Sequence, residues 1–374
     1  MTSNSLLYIT IKTQVRRIKY FSVALKYLSH VGLQRQILNE MLLNWSKSNH
    51  SSFESYISPS GEISLSENKT FSNSLKAYYH ALKEFNLIIE QGNFVLPTKR
   101  GEVLIILLEY IKKESTEHVN SYSLNCIEQS YFLTILFESD YDITFLTLQM
   151  LSNFPSRKLD FYLSFFQEAY LKRLEHKLIN SKIVEGSNIL ETKKRVLSWR
   201  SPKRYSEELM PPRLNWLIDL NLVRYSLNNG NYELTSKGKY FLETITIENS
   251  SEREYFTYDA DFSASSLISI ISTIYFNRND VKKWSNLIEH EREDYAMEGL
   301  AIATKHFCVF GILRMPANST ILFCSLYLLN KFSVCVNFLE FSSWIGAKRN
   351  IKGKLYGFRS AAREGESYIV VTNE

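Results

Sequence analysis

The chain has 374 residues, of which 45% are hydrophobic, and a formal net charge of +5. This hydrophobic content excludes an intrinsically disordered chain, and the low numbers of glycine (13) and proline (7) argue against a loop-rich or mainly β protein. The mildly basic charge is compatible with a nucleic-acid partner, and the length is sufficient for two or three domains.

The first unit is predicted to cover residues 1–115. Helical spacing predicts one helix over residues 31–45 and a later helix whose polar face carries Lys76. A further helix is expected over residues 101–112. The basic residues near the N-terminus are interpreted as the exposed start of a helix rather than as an arm on DNA: Arg16, Arg17 and Lys19.

The second unit is predicted to cover residues 120–248. Two apolar helices are expected over residues 126–137 and 143–154. A long amphipathic helix over residues 157–183 follows as a helical insertion and ends at a polar loop over residues 185–188.

The last helix of this second unit is expected to begin near Pro212, because proline suits the first turn of a helix. Its apolar face then leaves Arg213, Asn215 and Asp219 on the opposite, exposed side. A basic segment precedes it, and its cations are Arg200, Lys203 and Arg204.

The third unit is predicted to cover residues 255–374 as a helical domain that ends in a β-hairpin. Helices are expected over residues 262–276, 319–330 and 338–345, and a charged helix pair over residues 279–306. The hairpin strands are predicted at residues 355–358 and 368–371.

Two segments repeat each other, residues 82–101 and residues 217–238. Each has an asparagine before two apolar residues, then a polar turn at Gly-Asn, a short strand, and a threonine three residues before a glycine. Glycine and asparagine tolerate the positive φ of a tight turn, so this pattern predicts a β-hairpin. The copies lie about 135 residues apart, too far for a solenoid repeat, so they indicate two related domains.

This repeated pattern resembles the winged-helix superfamily. The resemblance implies a three-helix core with a β-hairpin wing, a fold commonly used to bind DNA. The third unit has the similar order helix, Lys348-Arg349, hairpin, so a third winged helix is one interpretation of it. The basic segment near residue 200, with the helix and wing that follow, is similar to the DNA-recognition modules of type IIS restriction enzymes.

The sequence lacks the motifs of common enzyme sites. The seven histidines form no HExxH pair, and no P-loop, dinucleotide-binding or GxSxG motif occurs. The carboxylates of residues 289–294 alternate with basic residues, a pattern typical of a solvated helix face. We therefore predict a protein that is not an enzyme and that has neither a metal nor a cofactor.

A cytoplasmic location without membrane contact is expected. The N-terminal segment lacks the long apolar stretch of a secretory signal, and charged residues and a proline interrupt the most apolar region, residues 307–339. The cysteines form no CxxC pair and are interpreted as small buried residues in a reducing compartment: Cys126, Cys308, Cys324 and Cys335.

The predicted fold is mainly α with small β-hairpins, organised as tandem winged-helix domains with a helical insertion. The predicted function is non-catalytic binding of double-stranded DNA, as the recognition or accessory subunit of a microbial DNA-processing or anti-phage defence system. Other protein subunits would then carry the ATPase or nuclease activity. The expected nucleic-acid contacts are Lys76, Lys99, Arg100, Arg200, Lys203, Arg204, Arg213, Lys237, Lys239, Lys348, Arg349 and Lys352.

Two alternatives remain open at this point. The first is a scaffold or accessory subunit of an SMC-like or ATPase complex, whose winged helices bind protein through exposed apolar patches. The second is a diverged nuclease with its site in residues 289–294.

Overall fold

A computed structural model describes residues 15, 17–49, 71–111, 123–180, 183–251, 260–276, 280–308, 313–346, 349–351, 353–360 and 367–373. Over these residues the chain is mainly helical and has small sheets, three of them antiparallel and one a parallel pair of two-residue strands. Within this described part, no helix combines the length and the apolarity needed to span a membrane.

The first unit begins with a helix that lies in the protein interior. Its elements are α1 (Lys19–Leu28), β1 (Leu33–Gln34), α2 (Arg35–Ser48), α3 (Phe71–Glu84), β2 (Ile88–Gln91), β3 (Phe94–Pro97) and α4 (Lys99–Tyr110). The strands form an antiparallel sheet in the order β1-β3-β2. Because seven consecutive residues of α1, from 19 to 25, are buried, this helix has no solvent-facing start.

The second unit is built around a long, bent helix. Its elements are α5 (Cys126–Asn153), β4 (Arg157–Lys158), α6 (Leu159–Asn180), α7 (Ile183–Leu197), α8 (Pro202–Asp219), β5 (Val223–Ser226), β6 (Asn231–Leu234) and α9 (Ser236–Ser251). Non-helical backbone at Asp140 (φ −141°, ψ 35°) separates the two helices that the sequence predicted within α5. The sheet order is β4-β6-β5.

Two sequence predictions in this unit were wrong. The polar segment over residues 185–188 is not a loop, because it lies inside α7. Pro212 does not start a helix either, since α8 begins at Pro202 and contains both Pro211 and Pro212 in its interior. The long helix predicted over residues 157–183 is α6, which ends at Asn180.

The third unit ends in the predicted hairpin. Its elements are α10 (Ala260–Tyr275), β7 (Lys282–Lys283), a 3₁₀ turn (Trp284–Asn286), α11 (Glu289–Phe307), β8 (Arg314–Pro316), α12 (Ala317–Phe332), β9 (Val334–Cys335), α13 (Phe338–Gly346), β10 (Arg349–Ile351), β11 (Lys354–Arg359) and β12 (Tyr368–Asn373). The charged segment predicted as a helix pair is one helix, α11, preceded by β7 and the 3₁₀ turn. The four-stranded sheet has the order β10-β11-β12-β8.

The three units share one strand topology. In each, a short strand between two helices pairs antiparallel with the last strand of the final hairpin, which also pairs with the strand before it. These pairings are β1 with β3, β4 with β6, and β8 with β12. The first-third-second strand order therefore occurs in all three units, and β10 adds a further edge strand to the third.

The repeated sequence segments have matching hydrogen bonds. In both, the threonine hydroxyl donates to the carbonyl of an asparagine with left-handed backbone, at 2.6 and 2.8 Å, and accepts from a glycine amide, at 3.1 and 3.0 Å. The residues are Asn86, Thr98 and Gly101 in the first copy, and Asn221, Thr235 and Gly238 in the second. The repeat therefore encodes the same local connection between hairpin and following helix.

Buried ion pairs join the first unit to the second. Arg17 contacts Asp219 at 2.9 Å, and Lys19 donates to both carboxylate oxygens of Glu128 at 2.9 and 2.8 Å. The expectation of an exposed basic helix start was therefore wrong, because Arg17 and Lys19 are 3% and 8% exposed. Arg16 lies outside the described residues. Burial raises the pKa of the Glu128 carboxyl, but the charges of Lys19 and Lys26 outweigh this effect and lower it.

Two histidine rings lie against each other where the first unit meets the third, with the centroids of His30 and His306 4.9 Å apart. Lys305 Nζ contacts the Tyr110 hydroxyl at 3.1 Å, and this hydroxyl lies 3.0 Å from Nε2 of His306. Since the lysine donates, the hydroxyl is free to donate onward to an unprotonated Nε2. Burial and the charge of His30 lower the pKa of His306 below 6.5, and Glu109 opposes this shift.

The buried side chains form one continuous cluster that runs from Val15 to Val371.

The cysteines fit the expectation of buried residues only in part. Cys324 is buried and Cys308 and Cys335 are partly buried, whereas Cys126 at the start of α5 is exposed.

Candidate nucleic-acid interface

The structure removes Arg213 from the predicted DNA-binding surface. Its side chain is fully buried, and its Nε and Nη2 atoms donate to the two carboxylate oxygens of Asp140 at 2.7 and 2.6 Å. The sequence expectation was wrong because it assumed that one side of α8 faces water. Every residue from 209 to 217 is buried instead, so this part of α8 has no outer face, and Asn215 and Asp219 are buried with it.

Three further predicted contacts are occupied within the protein. Arg100 pairs with Glu138 of α5, and Lys99 contacts Glu102 at 2.8 Å, with side chains 21% and 37% exposed. The ammonium of Lys237 lies 5.2 Å from the centre of the Tyr275 ring. These cations stabilise the packing of α4 and α9, so we expect them to contribute less to phosphate binding.

Five other predicted residues lie away from the start of α8 in the sequence. Lys76 on α3 and Lys239 on α9 are exposed. Arg349 begins β10, while its side chain and the residues Lys348 and Lys352 lie outside the described part of the chain.

The N-terminal end of α8 carries the densest group of exposed predicted cations. Arg200, Lys203 and Arg204 are all exposed there. The rings of Trp199 and Tyr205 stack across the start of the helix, with centroids 5.0 Å apart and planes at 16°. The first turn of α8 contains no acidic residue, so its own side chains do not neutralise the positive end of the helix dipole.

Sequence reasoning missed two cations beside this helix end. Arg157 and Lys158 form β4 and are exposed. Asp160, at the start of α6, contacts Lys203 with an oxygen–nitrogen distance of 3.0 Å, which places β4 next to the start of α8. The same hydrogen bond raises the pKa of Lys203, so the lysine is protonated at neutral pH. Two adjacent cations directly before a helix were the available signal in the sequence.

The exposed cations are therefore provided by one short strand and one helix start. We call the surface that they form the cation surface, and it consists of Arg157, Lys158, Arg200, Lys203 and Arg204. The exposed acidic residues beside it are Asp160, which Lys203 contacts, and Glu207. The excess of positive charge on one exposed surface favours a polyanionic ligand.

Three phenylalanines lie next to the cation surface. Phe154 and Phe165 are 41% and 42% exposed, and their rings stack on each other with centroids 6.1 Å apart and planes at 22°. The ring of Phe161 contacts both, with centroids 5.3 Å from Phe154 and 4.9 Å from Phe165. The guanidinium of Arg157 lies 5.3 Å from the centre of the Phe161 ring. We call this group the phenylalanine cluster.

A second basic region lies on the hairpins of the third unit. Residues 346–363 contain six lysines and arginines and no acidic residue, and within them Lys354 and Arg359 are exposed. Arg314 of the neighbouring strand β8 is also exposed, with its guanidinium 4.9 Å from the centre of the Tyr368 ring. The hairpins of the other two units contain glutamates, so their charge is mixed.

The acidic segment considered for a nuclease is engaged in the start of α11. Glu291 accepts from the backbone amide of Ile288 at 3.2 Å, His290 contacts Asp294 at 3.3 Å, and Arg292 contacts Glu289 at 3.5 Å. Among the described residues, no group of three or more histidine, cysteine or carboxylate side chains is arranged to hold a metal ion.

Comparison with protein-family models, with curated proteins and with solved structures found no match to this chain.

Proposed function

We propose that this chain is a non-catalytic double-stranded DNA-binding protein with tandem winged-helix domains, and that it serves as the recognition or accessory subunit of a microbial DNA-processing or anti-phage defence system. The observation that carries this proposal is the cation surface, where β4 and the start of α8 provide five exposed lysines and arginines. The strand topology shared by the three units supports the winged-helix part of the proposal.

The burial of α8 determines how it meets DNA in this proposal. Because residues 209–217 are buried, α8 does not lie along a groove, and only its first two turns are available. These turns present backbone amides and the side chains of Lys203 and Arg204, which suit phosphate oxygens. Contacts of this kind fix the position of a protein on DNA without reading the base sequence.

Lys354 and Arg359 of the third unit offer a second phosphate-binding region. Their hairpins stand where a winged helix has its wing, which supports a contact between this unit and the DNA backbone. Two separate basic regions on one molecule favour an extended ligand over a small anion.

A gel-shift titration of the Lys203→Glu, Arg204→Glu variant tests the proposal. If the wild-type protein contacts about six phosphates, its affinity for duplex DNA falls about a thousandfold between about 50 and 200 mM salt. The variant reverses two exposed charges, so it melts like the wild type but binds DNA weakly even at low salt.

The matched control is Lys282→Glu with Lys283→Glu, which reverses two adjacent exposed charges of β7 and leaves the cation surface intact. This control is expected to bind DNA like the wild type. Wild-type binding that is absent or insensitive to salt, or a folded variant at positions 203 and 204 that binds normally, contradicts the proposal.

A second candidate function is a protein-binding scaffold, and exposed apolar residues in the first unit favour it. Ile89 and Phe94 of its hairpin are 43% and 48% exposed, and Val31 and Ile37 nearby are 80% and 44% exposed. This function predicts that Ile89→Ser with Phe94→Ser abolishes co-purification of partner subunits from the native host. DNA binding by the same variant would stay unchanged.

A further inference from the structure

The start of α6 exposes aromatic rings although the helix already buries another side. Tyr162 and Phe166 are fully buried, and the Tyr162 hydroxyl donates to the Phe154 carbonyl at 2.6 Å. Phe161 and Phe165 are four residues apart and therefore lie together on a different face of the helix. The phenylalanine cluster is thus a separate surface feature and not the edge of the core.

The charges beside this cluster indicate which kind of ligand fits it. Arg157 lies over the Phe161 ring, and Lys158 is exposed on the same short strand. Two carboxylates close to this strand are already engaged, since Asp160 contacts Lys203 and Glu233 contacts Arg224. An apolar protein surface would leave these cations without an oppositely charged partner. A nucleotide has a base that can stack on the phenylalanines and a phosphate that can bind the cations.

We propose that the phenylalanine cluster binds unpaired bases, so that the preferred ligand of this protein is a junction between duplex and single-stranded DNA. This inference rests on the proposed DNA-binding function. In a duplex, neighbouring pairs cover every base face except the outer face of each terminal pair. A single-stranded tail exposes the faces of its unpaired bases, so it offers the rings more base surface to stack on. The cation surface holds the duplex phosphates, and the cluster lies beside it, since Arg157 of that surface contacts the Phe161 ring.

The preference for a junction has an expected size. Stacking of one base on an aromatic side chain strengthens binding by about tenfold to hundredfold. The wild-type protein should therefore bind a duplex with a single-stranded tail at least about tenfold more tightly than the same duplex with blunt ends.

Fluorescence anisotropy with these two labelled DNAs tests the inference. The variant Phe154→Ala with Phe165→Ala removes both exposed rings and leaves the backbone carbonyl that accepts from Tyr162 in place. We expect it to bind blunt duplex like the wild type and to lose the preference for the tailed duplex. The variant Phe165→Trp retains an aromatic surface and should retain the preference.

The matched control is Leu190→Ala with Leu197→Ala, which removes two exposed apolar side chains of α7, 42% and 59% exposed. It is expected to keep the preference for the tailed duplex. Equal binding of both DNAs by the wild type overturns the inference while leaving the proposed function intact, and it points to a protein partner for the cluster. A wild type that binds neither DNA overturns both.

Discussion

Replacing Arg213 with alanine is expected to destabilise the fold, although the sequence suggested a DNA contact. Arg213 and Asp140 form an ion pair, and their side chains are 0% and 1% exposed. Arg213 Nη1 also donates to the Leu209 carbonyl at 3.0 Å, and Thr144 donates to Asp140 at 3.0 Å. Removing the guanidinium therefore leaves a carboxylate in the interior without its cationic partner.

The size of this effect follows from the burial of both charges. Breaking a buried ion pair by removing one partner costs about 3–5 kcal/mol. The entropy of unfolding is about 2.1 cal/mol/K per residue, so 374 residues that unfold together give about 0.8 kcal/mol/K. The expected decrease in the melting temperature of Arg213→Ala is therefore about 4–6 °C.

Thermal unfolding followed by circular dichroism measures this decrease, and two further variants make the comparison sharp. Arg213→Met with Asp140→Leu replaces both charges by apolar groups and should recover most of the lost stability. Arg204→Ala changes an exposed arginine of the same helix. Its free energy of unfolding should lie within about 0.5 kcal/mol of the wild-type value, and it should bind DNA more weakly. An Arg213→Ala variant that melts like the wild type yet loses DNA binding would refute the buried ion pair.

Three further predictions test separate parts of the molecule. Gly238→Ala places a Cβ atom 2.0 Å from a backbone carbonyl oxygen and is expected to lower the free energy of unfolding by at least about 1–3 kcal/mol. The control is Gly346→Ala, whose Cβ atom meets nothing within 4 Å. Equal melting temperatures of the two variants would contradict this expectation. The lowered pKa of His306 means that the folded protein favours the neutral imidazole. The stability that the neutral imidazole contributes is fully present above the unfolded-state pKa of about 6.5. It is lost as the pH falls through the folded-state pKa. Melting of His306→Gln should therefore depend less on pH between about 7.5 and 5.5 than melting of the wild type, and parallel pH profiles would exclude this role. Glu291→Ala with Asp294→Ala should leave any nuclease activity of the assembled complex unchanged. The nuclease alternative would be established if this chain alone cleaved DNA in a metal-dependent reaction and the variant lost that activity.

Features set by neighbouring residues were predictable from the sequence. The hairpin at Gly92-Asn93 has the expected two-residue turn, and the threonines of both repeats make the same helix-capping bond to a glycine amide. The C-terminal hairpin was also placed correctly, between β11 and β12. Such features depend on φ preferences and capping within a few residues, which a single sequence displays directly.

The buried charges were not predictable, because their partners are distant in the sequence. Asp219 is about 200 residues from Arg17, and Asp140 lies in a different helix from Arg213. Helical periodicity places a polar residue on the side away from the apolar face, and this is the solvent side only when one face of the helix is exposed. The cations of β4 were missed for a related reason, since a two-residue strand has no periodic pattern.

The rigid connection between the first two units limits what the cation surface can do. Arg17 binds the C-terminal end of α8 at Asp219, and Arg213 holds its buried part to Asp140, so two ion pairs fix the axis of this helix. In the proposed complex, the N-terminal end of α8 would therefore meet DNA in one orientation, with little ordering on binding. Since that end offers mainly phosphate contacts, discrimination between DNAs has to come from their shape. A junction between duplex and single strand differs from a duplex in shape and in exposed base surface, and the proposed binding of unpaired bases by the phenylalanine cluster would distinguish the two.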